Sequence, residues 1–550
     1  MLTTRQYQVW YPVLAVLMFF SFYFAIGNYT LLNNNEGLYA SIAKHMLINK
    51  AFVIPYLNCV PYIEKPPLLY WLLGLSFSIF GFTAFAARFV TATSATLLCC
   101  TMLYFTYKMK LSKIGIMATL IFASSIGVSI IARMVYFDML LSFLIAGTLL
   151  CLFYWYESKK IAVLRIAYIF FGLAILCKGL IAIILICGSF SAFLLLEKSF
   201  WNHLRQAIDW PGIILFLAMV LPWHIAATLQ HKGFFWNYII GEHFLRFLNL
   251  REPHDYYQGS FYYYLPRILI YLFPWSFFVP LIFLQTKNLS VLEKKLMRFS
   301  WCWLLLPLIF FSLSIAKANY YMIVSMPALA LILSVNLNAW FENKNTRLFS
   351  ILVALILFIL AVSLVISFAV FLPIFPAIIT CKKSILGTAS YGLLAGVTII
   401  SIFIRKPQVA AALLASLIIP IAITATSVLK LINEDISAAK AGIYLTENRK
   451  TNFIYIYQDF ENISALAFYT NTCLRIIDSQ SNDLHYGSHL PQFKQWFLTK
   501  KKFLRETKHQ PYYLIVPNNK LEQFYKDMTQ TKAPILRKFK KLTIIGNNYE

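Results

Sequence analysis

The sequence predicts an α-helical polytopic membrane protein with about thirteen transmembrane helices, followed by a small C-terminal α/β domain. Three observations predict it. The 550 residues are 60% hydrophobic and only 13% charged, with 48 Phe, far from the composition of an ordinary soluble domain. Apolar stretches of about 17–25 residues recur, the length a helix needs to cross roughly 30 Å of hydrocarbon. Lys and Arg gather in every second connection between them.

The first stretch, 9–27, is long, and Ile26-Gly-Asn-Tyr-Thr after it lacks a small-x-small cleavage pattern, so it reads as a retained anchor rather than a signal peptide. An outer loop, 28–82, follows. Leu38, Ile42 and Met46 recur there at i, i+4 and i+8 with Lys44 on another face, which predicts a helix lying in the interface plane. Its last part, 68–82, is apolar, but Pro66-Pro67 and Gly74 make it a surface element rather than a further crossing. Crossings are then expected at 83–106, 114–131, 138–155, 162–177, 179–196 and 211–228. A second outer loop, 229–260, is aromatic and holds His231, His243 and His254. Further crossings fall at 261–285, 299–315, 320–337, 348–372, 386–404 and 409–428.

With a cytoplasmic N-terminus, the six cytoplasmic loops carry sixteen Lys and Arg, from Lys108 to Lys406. The opposite short loops carry only Arg133, Lys178, Lys317, Lys382 and Lys383. That asymmetry supports an odd number of crossings and an outer, periplasmic C-terminus. The net charge of +26 then follows from topology and anionic headgroups and requires no nucleic acid partner. The chain divides into a membrane part, 1–428, with outer loops 28–82 and 229–260, and a soluble periplasmic domain, 429–550.

The tail holds 11 of the 22 acidic residues. Short β-like runs (453–457, 465–469, 474–477, 512–516, 542–545) alternate there with helical stretches (434–446, 519–528), the pattern of a small α/β domain. There is no internal repeat. The nine cysteines include no CxxC pair, which argues against a structural zinc site or redox motif. Cys59, Cys381 and Cys473 lie outside the apolar stretches and can supply one disulfide; packing residues are the default reading.

Most remaining charges of the membrane part fall on the outer side. They comprise Asn35-Glu36, Tyr62-Ile-Glu64-Lys65-Pro-Pro, Arg133, Asp138, Lys178, Glu242-His243, Arg246 and Lys317-Ala-Asn-Tyr320-Tyr321. Taken singly, each reads as capping or snorkelling: Asp138 suits a helix N-terminus and His243 a hydrogen-bonded loop. Lys178 is harder to dismiss, because a charge in a two-residue turn between crossings faces either headgroups or a cavity. Together, Lys65, Lys178, Arg246 and Lys317 suit a phosphate or pyrophosphate at the membrane surface, with Tyr62, Tyr320 and Tyr321 as hydroxyl donors. Carboxylates beside them point to acid/base work or metal coordination. The residues alone therefore indicate a membrane enzyme acting on a lipid phosphate at the outer surface.

Asn-Glu-Gly-Leu-Tyr-Ala at 35–40, Tyr-Ile-Glu-Lys-Pro-Pro at 62–67, Cys-Lys-Gly at 177–179, Gly-Glu-His-Phe-Leu-Arg-Phe at 241–247 and Lys-Ala-Asn-Tyr-Tyr at 317–321 also carry a resemblance. Over roughly its first 330 residues the chain resembles bacterial membrane glycosyltransferases of the protein mannosyltransferase superfamily, nearest to lipid A aminoarabinose transferases. The resemblance implies a GT-C fold and transfer of a sugar from undecaprenyl phosphate to a periplasmic acceptor such as lipid A, at the bacterial inner membrane. It implies catalytic roles for Asn35, Glu36 and Asp138. Lys65 and Arg246 are expected to hold donor phosphate, with Tyr62, Arg133, Lys178, Lys317, Tyr320 and Tyr321 around the donor headgroup. Glu64 and His243 match positions where a divalent metal can sit; no organic cofactor is implied.

The chain departs from the family at Asn35, where an Asp is usual, and at Leu38, where close relatives carry a basic residue. An amide does not take up a proton at neutral pH, so Asn35 is no general base. Glu36 or Asp138 then serves as base, or Asn35 only orients a substrate, or the acceptor needs no base. An already anionic lipid A phosphate fits the last, whereas transfer to a glycan or protein hydroxyl needs help. A secondary transporter is disfavoured, since the sequence shows neither repeat symmetry nor midplane breaks. A polyprenyl-lipid flippase or scaffold would use the cations without the carboxylates.

Overall fold

A computed structural model describes residues 9–254, 258–283, 289–342, 348–357, 359, 407–448, 451–527 and 533–547. Among these, seven helices are long and apolar enough to cross a membrane: Ala84–Lys108, Phe137–Ser158, Ile161–Lys178, Trp210–Gln230, Val291–Leu313, Asn319–Glu342 and Pro407–Leu431. Two further spans are broken, Ser112–Ser124 with Ile126–Ala132 by 67° and Phe261–Leu272 with Trp275–Phe283 by 119°. Trp10–Tyr23, Leu68–Phe80, Ile181–Leu196 and Leu348–Leu357 are shorter apolar helices. The expected stretch 386–404 and most of 348–372 lie outside the described residues.

The helices form two compact units. The first comprises Met1–Ile26, Thr91–Pro222 and Tyr257–Val428. Its two breaks, which the sequence reading did not foresee, meet each other. Ser125 is extended (φ −72°, ψ 128°), and Phe273 is held extended by the following Pro274. The freed groups then find each other: the Ile126 amide donates to the Phe273 carbonyl at 2.9 Å, and Trp275 Nε1 to Ser124 Oγ at 2.8 Å. Gly127 permits the approach, because a Cβ there would lie 2.3 Å from the Tyr271 ring.

The second unit comprises Gly27–Val90, Trp223–Tyr256 and Leu429–Glu550, so the tail packs with both long outer loops. In the first loop the helix Asn35–Ile48 precedes a hairpin of β1 (Tyr56–Leu57) and β2 (Val60–Pro61). That helix does not lie with one face open, as its pattern predicts. Ten of its residues are buried, Lys44 among them, because the tail covers its polar side. Lys44 Nζ donates to the Phe468 carbonyl at 2.6 Å and sits over the Phe82 and Phe468 rings.

The tail carries a six-stranded sheet of β3 (Ile454–Tyr457), β4 (Arg475–Ile477), β5 (Phe497–Leu498), β6 (Tyr512–Pro517), β7 (Ile535–Lys538) and β8 (Leu542–Asn547), in the order β5-β4-β3-β6-β8-β7. β3 to β6 run parallel and β7–β8 antiparallel. β3 and β6 are wholly apolar and fully buried, as parallel strands covered on both faces are. The run 465–469 is helix, Ala465–Thr470, not strand: a five-residue apolar run has no decisive period, and here it packs on Asn35–Ile48. Cys59 and Cys473 form a disulfide, joining the hairpin to the start of β4. Cys381 lies outside the described residues.

Candidate active site

Two clusters of ionisable side chains stand out, one in each unit. In the second unit, Asn34 takes a left-handed φ of 62° and Asn35 opens the helix, half-buried at its first position. Glu36 follows in the first turn, where the helix dipole favours an anion. It is 1% exposed and fully engaged: the Leu32 amide donates to it at 2.9 Å, and Arg88 Nε and Nη2 at 2.9 and 2.7 Å. Arg88 is fully buried, donates also to the Tyr29 and Thr30 carbonyls, and stacks 3.8 Å from the Tyr29 ring. A carboxylate held by a bidentate guanidinium orients its loop.

The same unit gathers Tyr62, Glu64, Lys65, Glu242, Arg246 and Arg251. The first three leave β2, and Pro66-Pro67 lead into the helix Leu68–Phe80, whose first turn tolerates proline. Glu242 and His243 sit on a π-helix, Trp236–Leu245, with Arg246 one turn beyond Glu242. Arg246 Nη1 contacts Glu242 at 3.0 Å, Lys65 Nζ lies 3.8 Å from both Glu64 and Glu242, and Arg251 bridges the same two carboxylates. Tyr62 OH donates to Glu64 at 3.2 Å. Burial works against ionisation of Glu242, but Arg251, Lys65 and Arg246 outweigh it and hold the carboxyl at about 2. Glu64 goes the other way: burial and then the Glu242 charge push it up, only partly offset by the same cations. Asp483 of the tail is likewise pushed up, by burial and then by Glu64 and Glu461. With Glu242 as the firmly ionised carboxylate, the three cations leave a positive excess suited to a phosphate.

His243 Nδ1 lies 2.8 Å from the Tyr238 carbonyl, an arrangement a metal-ligating imidazole also has. Glu64, however, is ringed by Lys65, Arg246 and Arg251, whose charges oppose a divalent ion. Among the described residues no three His, Cys, Asp or Glu side chains are placed to hold one. The residues do not fit a metal at Glu64 and His243.

In the first unit, Asp138 opens the helix Phe137–Ser158 and Lys178 closes Ile161–Lys178, with Gly179 past its end at φ 77°. Lys178 Nζ meets Asp138 at 2.5 Å, so a helix N-terminus carries the anion and a C-terminus the cation. Lys178 lies 4.7 Å from the Tyr321 ring centre and 5.9 Å from that of Tyr320, and Tyr136 stacks on Tyr320 at 4.8 Å. Arg133 donates to the Phe20 and Phe24 carbonyls and to Thr426 Oγ1; Lys317 donates to the Phe311 and Ser312 carbonyls. Both tie helix ends together.

The sequence reading missed Arg88, Arg251, Asp483 and Tyr136 and gave Glu242 no role. Arg88 had a signal, as an arginine inside the apolar stretch 83–106. Asp483 had none, since only the fold brings the tail to Glu64.

The family described as dolichyl-phosphate-mannose-protein mannosyltransferase matches residues 64–225. An undecaprenyl phosphate-alpha-4-amino-4-deoxy-L-arabinose arabinosyl transferase 2 of Proteus mirabilis is 26% identical over 68% of this chain and 69% of its own. An uncharacterized protein of Aquifex aeolicus is 30% identical over 56% of this chain and 70% of its own. Among solved structures, ArnT from Cupriavidus metallidurans bound to undecaprenyl phosphate superposes with a TM-score of 0.81, covering 99% of this chain and 98% of that one at 18% identity. The two chains share their fold.

Proposed function

We propose, from the premise that the chain belongs to the membrane glycosyltransferase family of these relatives, that it transfers an aminoarabinose-type sugar from undecaprenyl phosphate to a phosphate of lipid A. The observation that carries this reading is the half-buried cluster of Lys65, Arg246 and Arg251 on one carboxylate, Glu242. A phosphate oxygen of the acceptor attacks the anomeric carbon, and the bond from that carbon to the donor phosphate oxygen breaks with its electron pair. The departing undecaprenyl phosphate gains a negative charge, which Lys65 and Arg246 stabilise. The acceptor phosphate becomes a diester and loses one. No proton needs to move.

That balance suits the residues at hand. Asn35 accepts no proton, Glu36 is locked by Arg88, and Asp138 is paired with Lys178. Asn35 then orients a substrate rather than deprotonating it, which favours an anionic acceptor over a hydroxyl. Tyr62 lines the donor headgroup, Lys178 aligns Tyr320 and Tyr321 beside Asp138, and Arg133 and Lys317 brace the helices. No step is routed through a metal. We place residues 1–428 in the bacterial inner membrane with a cytoplasmic N-terminus, and 429–550 in the periplasm. The Cys59–Cys473 disulfide supports an oxidising side for the loop and tail.

The purified protein given the donor and lipid A should transfer the sugar. Lys65→Ala and Arg246→Ala should each lose about 100-fold or more in kcat at normal protein levels. Wild-type turnover in either variant would remove the phosphate role.

A further inference from the structure

The segment Tyr29–Gly37, which delivers Asn35, makes few of its hydrogen bonds within itself. From one side Arg88 takes the Tyr29 and Thr30 carbonyls and Glu36. From the other, the tail takes backbone groups of Thr30, Leu31, Asn33 and Asn34. The Asn433 side chain accepts from the Thr30 amide at 3.1 Å and donates to its hydroxyl at 2.6 Å. Ser437 Oγ donates to the Leu31 carbonyl at 2.6 Å, while the Leu31 amide donates to Tyr469 OH at 3.1 Å. The Asn33 amide donates to the Ile436 carbonyl at 2.9 Å. Asn34, next to Asn35, is held at both its groups: its amide donates to the Glu461 carbonyl at 3.0 Å, and its carbonyl accepts from Ser464 Oγ at 2.8 Å. Gly37 allows the contact, since a Cβ there would lie 2.3 Å from the Ala465 backbone nitrogen.

We infer that the C-terminal tail is a positioning part of the active site: Asn433, Ser437 and Ser464, opposite Arg88, clamp the loop that presents Asn35. Local bonds start the helix, the Leu38 amide on the Asn34 carbonyl and the Leu32 amide on Glu36, and the long-range bonds add the restraint that sets how this left-handed residue and its half-exposed neighbour are oriented. A displacement of about 1 Å at a reacting centre costs on the order of 100-fold in rate. The clamp bonds the segment that carries Asn35, whereas Lys65 and Arg246 pair with Glu242, so its loss should lower kcat and leave donor binding in place.

The inference rests on the proposed reading for its rate effect, but not for the clamp itself. The test therefore has two readouts on full-length protein in nanodiscs. In Asn433→Ala/Ser464→Ala, hydrogen exchange of the amides of residues 30–34 should quicken at least about tenfold, and kcat should fall about 10- to 100-fold with donor KM within about twofold. Ser464→Thr, which keeps the hydroxyl, should restore the rate in the Ser464 single variant. Unchanged exchange would overturn the clamp. Faster exchange with unchanged kcat, or a rise in KM alone, would overturn the positioning role. If the double variant does not fold, the Ser464→Ala and Ser464→Thr pair decides by the same readouts. Absence of transfer in the wild-type protein would instead sink the proposed reaction, with exchange still deciding the clamp.

Discussion

Glu36 shows how far a residue's neighbours decide its chemistry. In the sequence it is the acidic member of the first-loop motif and a natural base. In the fold it shares a dry site with Arg88, and the pair is fixed by two hydrogen bonds from the guanidinium. Removing one partner of such a pair leaves a buried charge uncompensated. Arg88→Ala should lower stability by about 3–5 kcal/mol in thermal or denaturant unfolding, and Arg88→Met with Glu36→Leu should recover much of that. Glu242 makes a second prediction. Its carboxyl is lowered from 4.5 to about 2, so it stabilises the folded chain above its ordinary value, and that contribution is lost as pH falls from 4.5 toward 2. The stability difference between wild type and Glu242→Gln should therefore shrink across that window; a difference independent of pH would contradict the arrangement. Lys65, Arg246, Glu64 and Asp138 could be found in the sequence because charge is rare beside apolar stretches. Asp483 could not, because Glu64, Lys65 and Arg251 lie hundreds of residues away in the chain.

At the level of elements, hydropathy located the apolar helices well where they are described, since length and composition alone suffice to mark them. What it did not mark is where they break. Ser125 and Pro274 are modest punctuation in apolar text, and only the meeting of the two breaks makes each stable. Gly127→Ala should cost about 1–3 kcal/mol, because its Cβ would collide with Tyr271; thermal stability equal to wild type would show that the helices separate easily. The helix Asn35–Ile48 was legible from its period, but not the covering of its polar face. Lys44, on a face away from Leu38, Ile42 and Met46, is buried and donates to the Phe468 carbonyl. The helix Ala465–Thr470 was misread as strand for a related reason: tertiary contact, not local pattern, selects its state.

For the whole molecule, the composition, the basic alternation and the motif set indicated a membrane glycosyltransferase fold, which the superposition with ArnT shares. The sequence divides at 428, where composition changes. The compact units cut across that line, since the tail belongs with both outer loops. The disulfide between Cys59 and Cys473, 414 residues apart in the chain, joins the first of these loops to the tail. The central claim is the transfer of an aminoarabinose-type sugar to lipid A phosphate without a general base. The measurement that tests it most directly is mass spectrometry of lipid A and of undecaprenyl phosphate-linked sugars, in cells with the gene, without it, and with Lys65→Ala. The account predicts that the aminoarabinose mass on lipid A phosphates disappears in the last two while the donor accumulates. Unchanged lipid A in the deletion, with no donor accumulation, would contradict it.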